Sequence, residues 1–185
     1  MKFLSILIFL LFNFSFSQLR IGHDINAELE LSGYGLEETH SANGISLGYE
    51  SVLKTDKKYT YGAGGEFMLL RTSETFTGGG GFGFNSLYGF GRYKIDERLY
   101  GTGRLGYNFY MADSAFKYCG DDCSTELDGG LFYGIGIGII LTPKINLEGL
   151  YIHNEGTMRR DLINGSSYSF ESNYARMHFC FAYTF

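Results

Sequence analysis

The chain has 185 residues, of which 27 are glycine and one is proline, and its formal net charge is −5. Glycine at about twice its usual share of roughly 7% would suit a linker, yet 44% hydrophobic and 17% aromatic residues exclude a disordered chain, and the absence of a Gly-X-Y period excludes collagen. The length allows one domain, and the scattered Lys and Arg leave no basic patch, so nucleic acid is not expected as a partner.

Residues 1–18 read MKFLSILIFLLFNFSFSQ, with Lys2, an apolar run from Phe3 to Phe12, and small Ser15 and Ser17 at the −3 and −1 positions of a cut before Gln18. This is the pattern of a secretory signal peptide over 1–17, leaving 18–185 as the mature domain. The alternative is a membrane anchor, but the run is shorter than the ~20 residues that span hydrocarbon.

From Leu19 the chain divides into eight alternating, strand-like segments at 19–32, 44–54, 59–71, 82–94, 99–111, 129–141, 145–157 and 173–185. Long connections at 33–43, 72–81, 112–128 and 158–172 alternate with short ones at 55–58, 95–98 and 142–144, so long and short loops gather at opposite ends. The single proline, Pro143, sits in a short turn where its missing N–H disturbs no ladder, and no helix is needed anywhere. The first strand sets Leu19, Ile21, Ile25, Ala27, Leu29 and Leu31 against Arg20, Gly22, Asp24, Asn26, Glu28 and Glu30. In the sixth, Leu131, Tyr133, Ile135, Ile137, Ile139 and Leu141 oppose Gly134, Gly136 and Gly138. The last sets Ala175, Met177, Phe179, Phe181, Tyr183 and Phe185 against Tyr174, Arg176, His178, Cys180, Ala182 and Thr184.

Alternation alone does not tell the inside of a soluble barrel from the lipid side of a membrane barrel. Membrane strands need about 9–11 residues, and all eight segments qualify. Tyr59, Tyr61, Tyr93, Tyr100, Tyr183 and Phe185 lie near strand ends, as an interfacial girdle would. The chain ends on Phe185 with Tyr183, Phe181 and Phe179 on the same face, and this closely resembles the C-terminal assembly signal of bacterial outer-membrane proteins. Over the whole mature chain the sequence resembles the small eight-stranded OmpA/OmpX-type barrels of the porin-like outer-membrane β-barrel domain family. The fold class is therefore expected to be all-β, an eight-stranded antiparallel up-and-down transmembrane β-barrel. The resemblance implies a Gram-negative cell outer membrane, a periplasmic N-terminus, four surface loops, surrounding outer-membrane lipid and lipopolysaccharide, and insertion by the barrel-assembly machinery. The alternative is a soluble secreted lipocalin-type barrel with the apolar face inside.

With the apolar face outward, the interior holds Arg20, Asp24, Glu28, Glu50, Glu66, Arg104, Glu148 and Arg176, with His178 nearby, five acidic and three basic groups. Buried charges must pair, so these read as a buttressing network, or alternatively as a proton or ion path. Glycines at 22, 48, 62, 64, 106 and 136 leave room for the long side chains, and Arg92, on the ambiguous fourth strand, could face either way. An eight-stranded barrel is just filled by its side chains, which argues against a general diffusion pore.

Cys119 and Cys123, in the loop 112–128, are expected to form a disulfide that shapes a loop tip, with metal binding the weaker reading for lack of a second ligand pair. Cys180 is expected as a free, packed thiol. The tetraglycine Gly78 to Gly81 lacks the lysine and helix of a phosphate cradle and reads as a loop. Arg159, Arg160 and Asp161 read as a charged, solvated loop, with a lipopolysaccharide-phosphate contact as the alternative. One family of lipid A hydrolases carries a His followed two residues later by Ser on a barrel strand. Here Ile152-His153-Asn154-Glu155 has no serine at that place, and His40-Ser41 falls in a loop, so no enzyme, cofactor or metal is expected. The sequence reads as a monomeric outer-membrane protein with a structural or surface-binding role, its extracellular ligand unnamed. A small-solute channel and a lipid-modifying enzyme are the alternatives.

Overall fold

The computed structural model describes residues 17–72, 80–120 and 122–185. The signal-peptide segment 1–16, Gly78 and Gly79 of the tetraglycine, and Asp121 lie outside the described residues. Ten strands follow one another: β1 (Ser17–Gly33), β2 (Leu36–Ser41), β3 (Ile45–Thr55), β4 (Tyr59–Met68), β5 (Arg71–Thr72), β6 (Gly81–Lys94), β7 (Leu99–Ala112), β8 (Cys123–Thr142), β9 (Ile145–Leu162) and β10 (Ser167–Thr184). All pairings are antiparallel, β1 reaching β3 past β2 and β4 reaching β6 past β5, and β10 returns to pair with β1 from Gln18↔Thr184 to Ser32↔Glu171. That last ladder closes an eight-walled barrel of β1, β3, β4, β6, β7, β8, β9 and β10, with β2 and β5 continuing the walls begun by β3 and β4. Closure leaves the spanning part of the sheet without an unpaired edge, the condition a sheet must meet in hydrocarbon.

The outer wall is apolar. Leu19, Ile21, Leu47, Leu87, Leu105, Ile135, Ile137, Leu147 and Phe179 all point away from the barrel and are exposed. Arg20, Glu50, Arg104, Glu148 and Arg176 point in and are buried. A soluble barrel would reverse the two faces, so the transmembrane reading stands. Phe179, Phe181, Tyr183 and Phe185 share the outer face of the closing strand. Tyr59, Tyr61 and Tyr93 also point outward, but Tyr100 does not belong to the girdle: it is buried inside the barrel.

The long loops are shorter than expected. β1 and β2 form a hairpin turning at Tyr34-Gly35, and β9 and β10 continue to Asp161↔Ser167 before a short turn. Most of 33–43 and of 158–172 is therefore strand, 112–128 is strand only at Ala112 and from Cys123 on, and His40 lies on β2 instead of in a loop. Against the expectation of no helix, one helical turn, α1 (Ser114–Lys117), follows β7.

Bulges invert the alternation at the long-loop end. In β1 the register slips between Ile25 and Glu28, where Asn26 takes a positive φ of 49°. Below the slip the odd residues face out; above it Ala27, Leu29 and Leu31 face in, while Glu28 and Glu30 face solvent. β8 slips likewise between Gly129 and Phe132, placing Leu127 against the core while Leu131 faces out. Both slips lie near the level of the Ala175↔His153 pair, where the outer wall changes from apolar to polar. A strand that leaves lipid for water must turn its apolar face from outside to inside, and one extra residue achieves it.

Candidate functional site

The barrel interior is filled in layers. Nearest the short turns, Glu50 and Glu148 stand among Arg20, Arg92 and Arg104. Arg104 reaches both carboxylates, donating to Glu50 at 2.9 Å and to Glu148 at 2.7 Å. Arg20 bridges the same two, at 3.4 Å to Glu50 and 2.6 Å to Glu148. Arg92 pairs with Glu50, lies 3.3 Å from Glu148, and donates to Gln18 at 2.7 Å. Two phenols complete the shell, Tyr88 donating to Glu50 at 3.1 Å and Tyr100 to Glu148 at 2.7 Å. Glycines make the space: a Cβ at Gly64 would lie 2.7 Å from Glu50 Cγ, and one at Gly138 would lie 2.2 Å from the Tyr100 ring.

The next layer centres on Asp24. His178 Nδ1 lies 2.7 Å from it, Arg71 Nη2 2.5 Å and Arg176 Nε 3.3 Å, while Arg176 also pairs with Glu66. Arg71 sits where two walls break, at 42–44 and at 69–70, and donates to the carbonyls of Ile45 and Leu69 and to Ser46 Oγ. Above it, Asn108 fills the β8 bulge, donating to the freed carbonyls of Gly130 and Glu155 at 2.8 and 2.7 Å, and accepts from Asn154.

An aromatic seal then closes the long-loop mouth. Phe84 stacks on Tyr110 at 4.3 Å, Phe82 meets Tyr174 edge-on at 5.4 Å, and Leu29, Leu31, Met68, Met158 and Phe170 pack around them. Phe116 of α1 caps this cluster. Asp113 fixes the helix from its N-terminal side, its carboxylate accepting from Phe116 N at 2.9 Å and Gly81 N at 2.8 Å. Those two backbone donors hold the Asp113 carboxyl below its ordinary range.

Seven of the eight expected interior charges are thus inside: Arg20, Asp24, Glu50, Glu66, Arg104, Glu148 and Arg176. Glu28 is the exception, carried outside by the Asn26 bulge. Arg71, at a strand end, was not anticipated, and Arg92 resolves to the inside. The balance is consequently five guanidinium groups against four carboxylates among the described residues, where five acids and three bases were expected. Cys180 is a free, buried thiol. Cys119 and Cys123 have Cα atoms 5.6 Å apart, within disulfide range. Arg159 is spent within the sheet, on Glu126 at 2.5 Å and Asp161 at 3.1 Å, and Arg160 lies over the Phe170 ring.

Beyond the apolar belt the sheet continues as β2-β1-β10-β9-β8. Among the described strands β2 forms a ladder only with β1, and β8 above Gly130 only with β9, because the β7–β8 ladder ends at Asn108↔Gly130. The outward face of this part carries Glu28, Glu30, Glu126, Asp128, Arg159 and Glu171.

No protein-family profile matches the chain, and no curated protein sequence matches it. Among solved structures, outer membrane protein AlkL in DMPC lipid bilayers aligns with a TM-score of 0.56 at 12% identity, covering 92% of this chain and 90% of that one. The outer membrane protein OprG from Pseudomonas aeruginosa aligns with a TM-score of 0.53 at 12% identity, covering 92% and 96%. The attachment invasion locus protein Ail of Yersinia pestis aligns with a TM-score of 0.48 at 13% identity, covering 89% and 98%. At such identities AlkL and OprG speak for the fold and for nothing finer.

Proposed function

We propose that this chain is an integral protein of the cell outer membrane, exported by a signal peptide, whose role is structural or surface-binding and whose working surface is the sheet beyond the belt. In this reading the short turns and both chain ends lie in the periplasm, and the β1–β2, β7–β8 and β9–β10 connections face the exterior. Lipid and lipopolysaccharide surround the belt of a monomer, the barrel-assembly machinery inserts it, and a Cys119–Cys123 disulfide holds the segment behind α1.

The observation that carries the reading is the contrast between a filled interior and an extended exterior. The charge layers and the aromatic seal occupy the bore, which speaks against a diffusion pore. The chain meanwhile carries five strands past the belt and leaves β2 and β8 each with an edge that no other described strand pairs with. Such edges and polar loops are where a rigid scaffold meets partners. The charged interior groups serve as struts.

The test compares cells carrying the wild-type barrel with cells carrying Thr39→Pro and Thr125→Pro, which block the two edges, for retention on a panel of protein-coated surfaces. Barrel integrity is checked by heat-shifted gel mobility. Retention that falls to the level of cells lacking the protein supports the proposal. Retention unchanged by the substitutions, or absent from wild type, contradicts it.

A further inference from the structure

At the short-turn end a recess of about 400 Å³ opens into the barrel between the turns at 55–58 and 142–144. Gln18, Thr60, Tyr100, Asn146 and Thr184 line it, and its charged groups are Arg92, Lys94, Lys57, Lys58 and Asp56. Four cations therefore face one acid. Asp56 is engaged at home, accepting the backbone N–H of Lys57 at 2.7 Å.

The layer beneath does not correct the imbalance. Three guanidinium groups share two carboxylates, and each carboxylate is approached by all three and by a tyrosine hydroxyl. One positive charge is left over in a nearly dry interior. Arg92 carries it to the floor of the recess: its side chain is 9% exposed, and its buried Nε has no hydrogen-bond partner among the described residues. Its guanidinium also lies 4.7 Å from the Phe90 ring centroid and 5.5 Å from that of Tyr100.

An excess buried cation is costly unless a counter-charge is supplied, and no described residue inside the barrel supplies it. A compact anion entering from the open end would do so, held by the guanidinium at the floor and by flexible ammonium groups at the rim. Arginine and lysine together are the donors that recognise phosphate, through charge-assisted hydrogen bonds. The recess is also large enough for a phosphate carrying a small organic substituent.

We propose that this recess binds a phosphate group, with Arg92 at its floor and Lys57, Lys58 and Lys94 at its rim. The group arrives either on a soluble phosphate or phosphomonoester or on a lipid headgroup. The site is separate from the sheet at the opposite mouth and stands whether or not that sheet binds anything.

The experiment records amide resonances of the full mature barrel in octylglucoside micelles while inorganic phosphate is added against chloride at matched ionic strength. A second arm places the barrel in nanodiscs of increasing phosphatidylglycerol content without free phosphate. Saturable shifts confined to residues near 55–60, 92–94 and 144–146 in either arm support the site, and the arm in which they occur identifies the source. The triple variant K57Q/K58Q/K94Q leaves the interior network untouched and should weaken half-saturation about tenfold or more. Lys94→Gln alone, at an exposed position, guards against a misfolded triple variant and should weaken binding about threefold. Shifts no different from those with chloride in both arms overturn the proposal, as does wild-type affinity in the triple variant.

Discussion

Replacing Glu50 by Gln removes one charge from the barrel interior while keeping the side chain's shape. Glu50 is fully buried and receives Arg104 at 2.9 Å, Arg20 at 3.4 Å, Arg92, and the Tyr88 hydroxyl at 3.1 Å. After the change, three guanidinium groups face Glu148 alone. At an effective dielectric of about 20, one such pair at 4 Å is worth about 4 kcal/mol before the relief of Glu50's own desolvation. Breaking a buried ion pair typically costs about 3–5 kcal/mol, and that is the loss expected here. Equilibrium urea unfolding in phospholipid vesicles, followed by far-UV circular dichroism because the chain has no tryptophan, measures it. Arg104→Gln supplies the second leg of a double-mutant cycle, and combining it with Glu50→Gln should be non-additive by about 1–3 kcal/mol. A loss below about 1 kcal/mol, or strict additivity, would show that the layer is solvated and carries no stability, contrary to the reasoning from burial.

Gly22→Ala would place a Cβ 2.1 Å from His178 Nε2, and His178 is held by Asp24 at 2.7 Å, so overpacking should cost about 1–3 kcal/mol in the same assay. The cost should shrink when His178→Ala is added; equal losses in both backgrounds refute the clash. Asp113→Ala removes the cap of α1 and should lower its local stability by about 1 kcal/mol, read as faster hydrogen exchange at Phe116 N. Because folding lowers the Asp113 pKa from its ordinary 3.8, its contribution is present above that value and disappears as pH falls below it, so wild type should lose this protection only in acid. Replacing Cys119 and Cys123 by Ser should cost at most about 2 kcal/mol, because the ring they close is small, and should leave heat-shifted gel mobility unchanged. A larger loss would give the bond a global role.

The barrel was legible because lipid outside and charge inside impose a period of two through the lipid belt, interrupted where the bulges and the aromatic seal fall. The last strand shows it, with Met177, Phe179, Phe181 and Tyr183 outward and Arg176, His178 and Cys180 inward. The failure at Glu28 has a definite cause. Apolar residues continue at 25, 27, 29 and 31 without a break in the alternation, yet the environment they require inverts halfway. The sole local signal was Asn26, a residue tolerant of positive φ, together with two glutamates on a face supposed to be buried. Arg71 and Arg92 were hidden for another reason. The first stands at a strand break and the second on a strand whose inward face is aromatic, with Phe82, Phe84, Tyr88 and Phe90, so composition did not reveal the facing. The recess at the short-turn end depends on the charge balance of that layer, which turns on the inward facing of Arg92.

The central claim is that side chains occupy the bore from the Glu50 and Glu148 layer to the Phe84 and Tyr110 seal. Single-channel recording of the purified wild-type barrel in planar bilayers tests it most directly. A filled bore predicts no stable, discrete openings at moderate voltage. Large and long-lived conductance steps would contradict it.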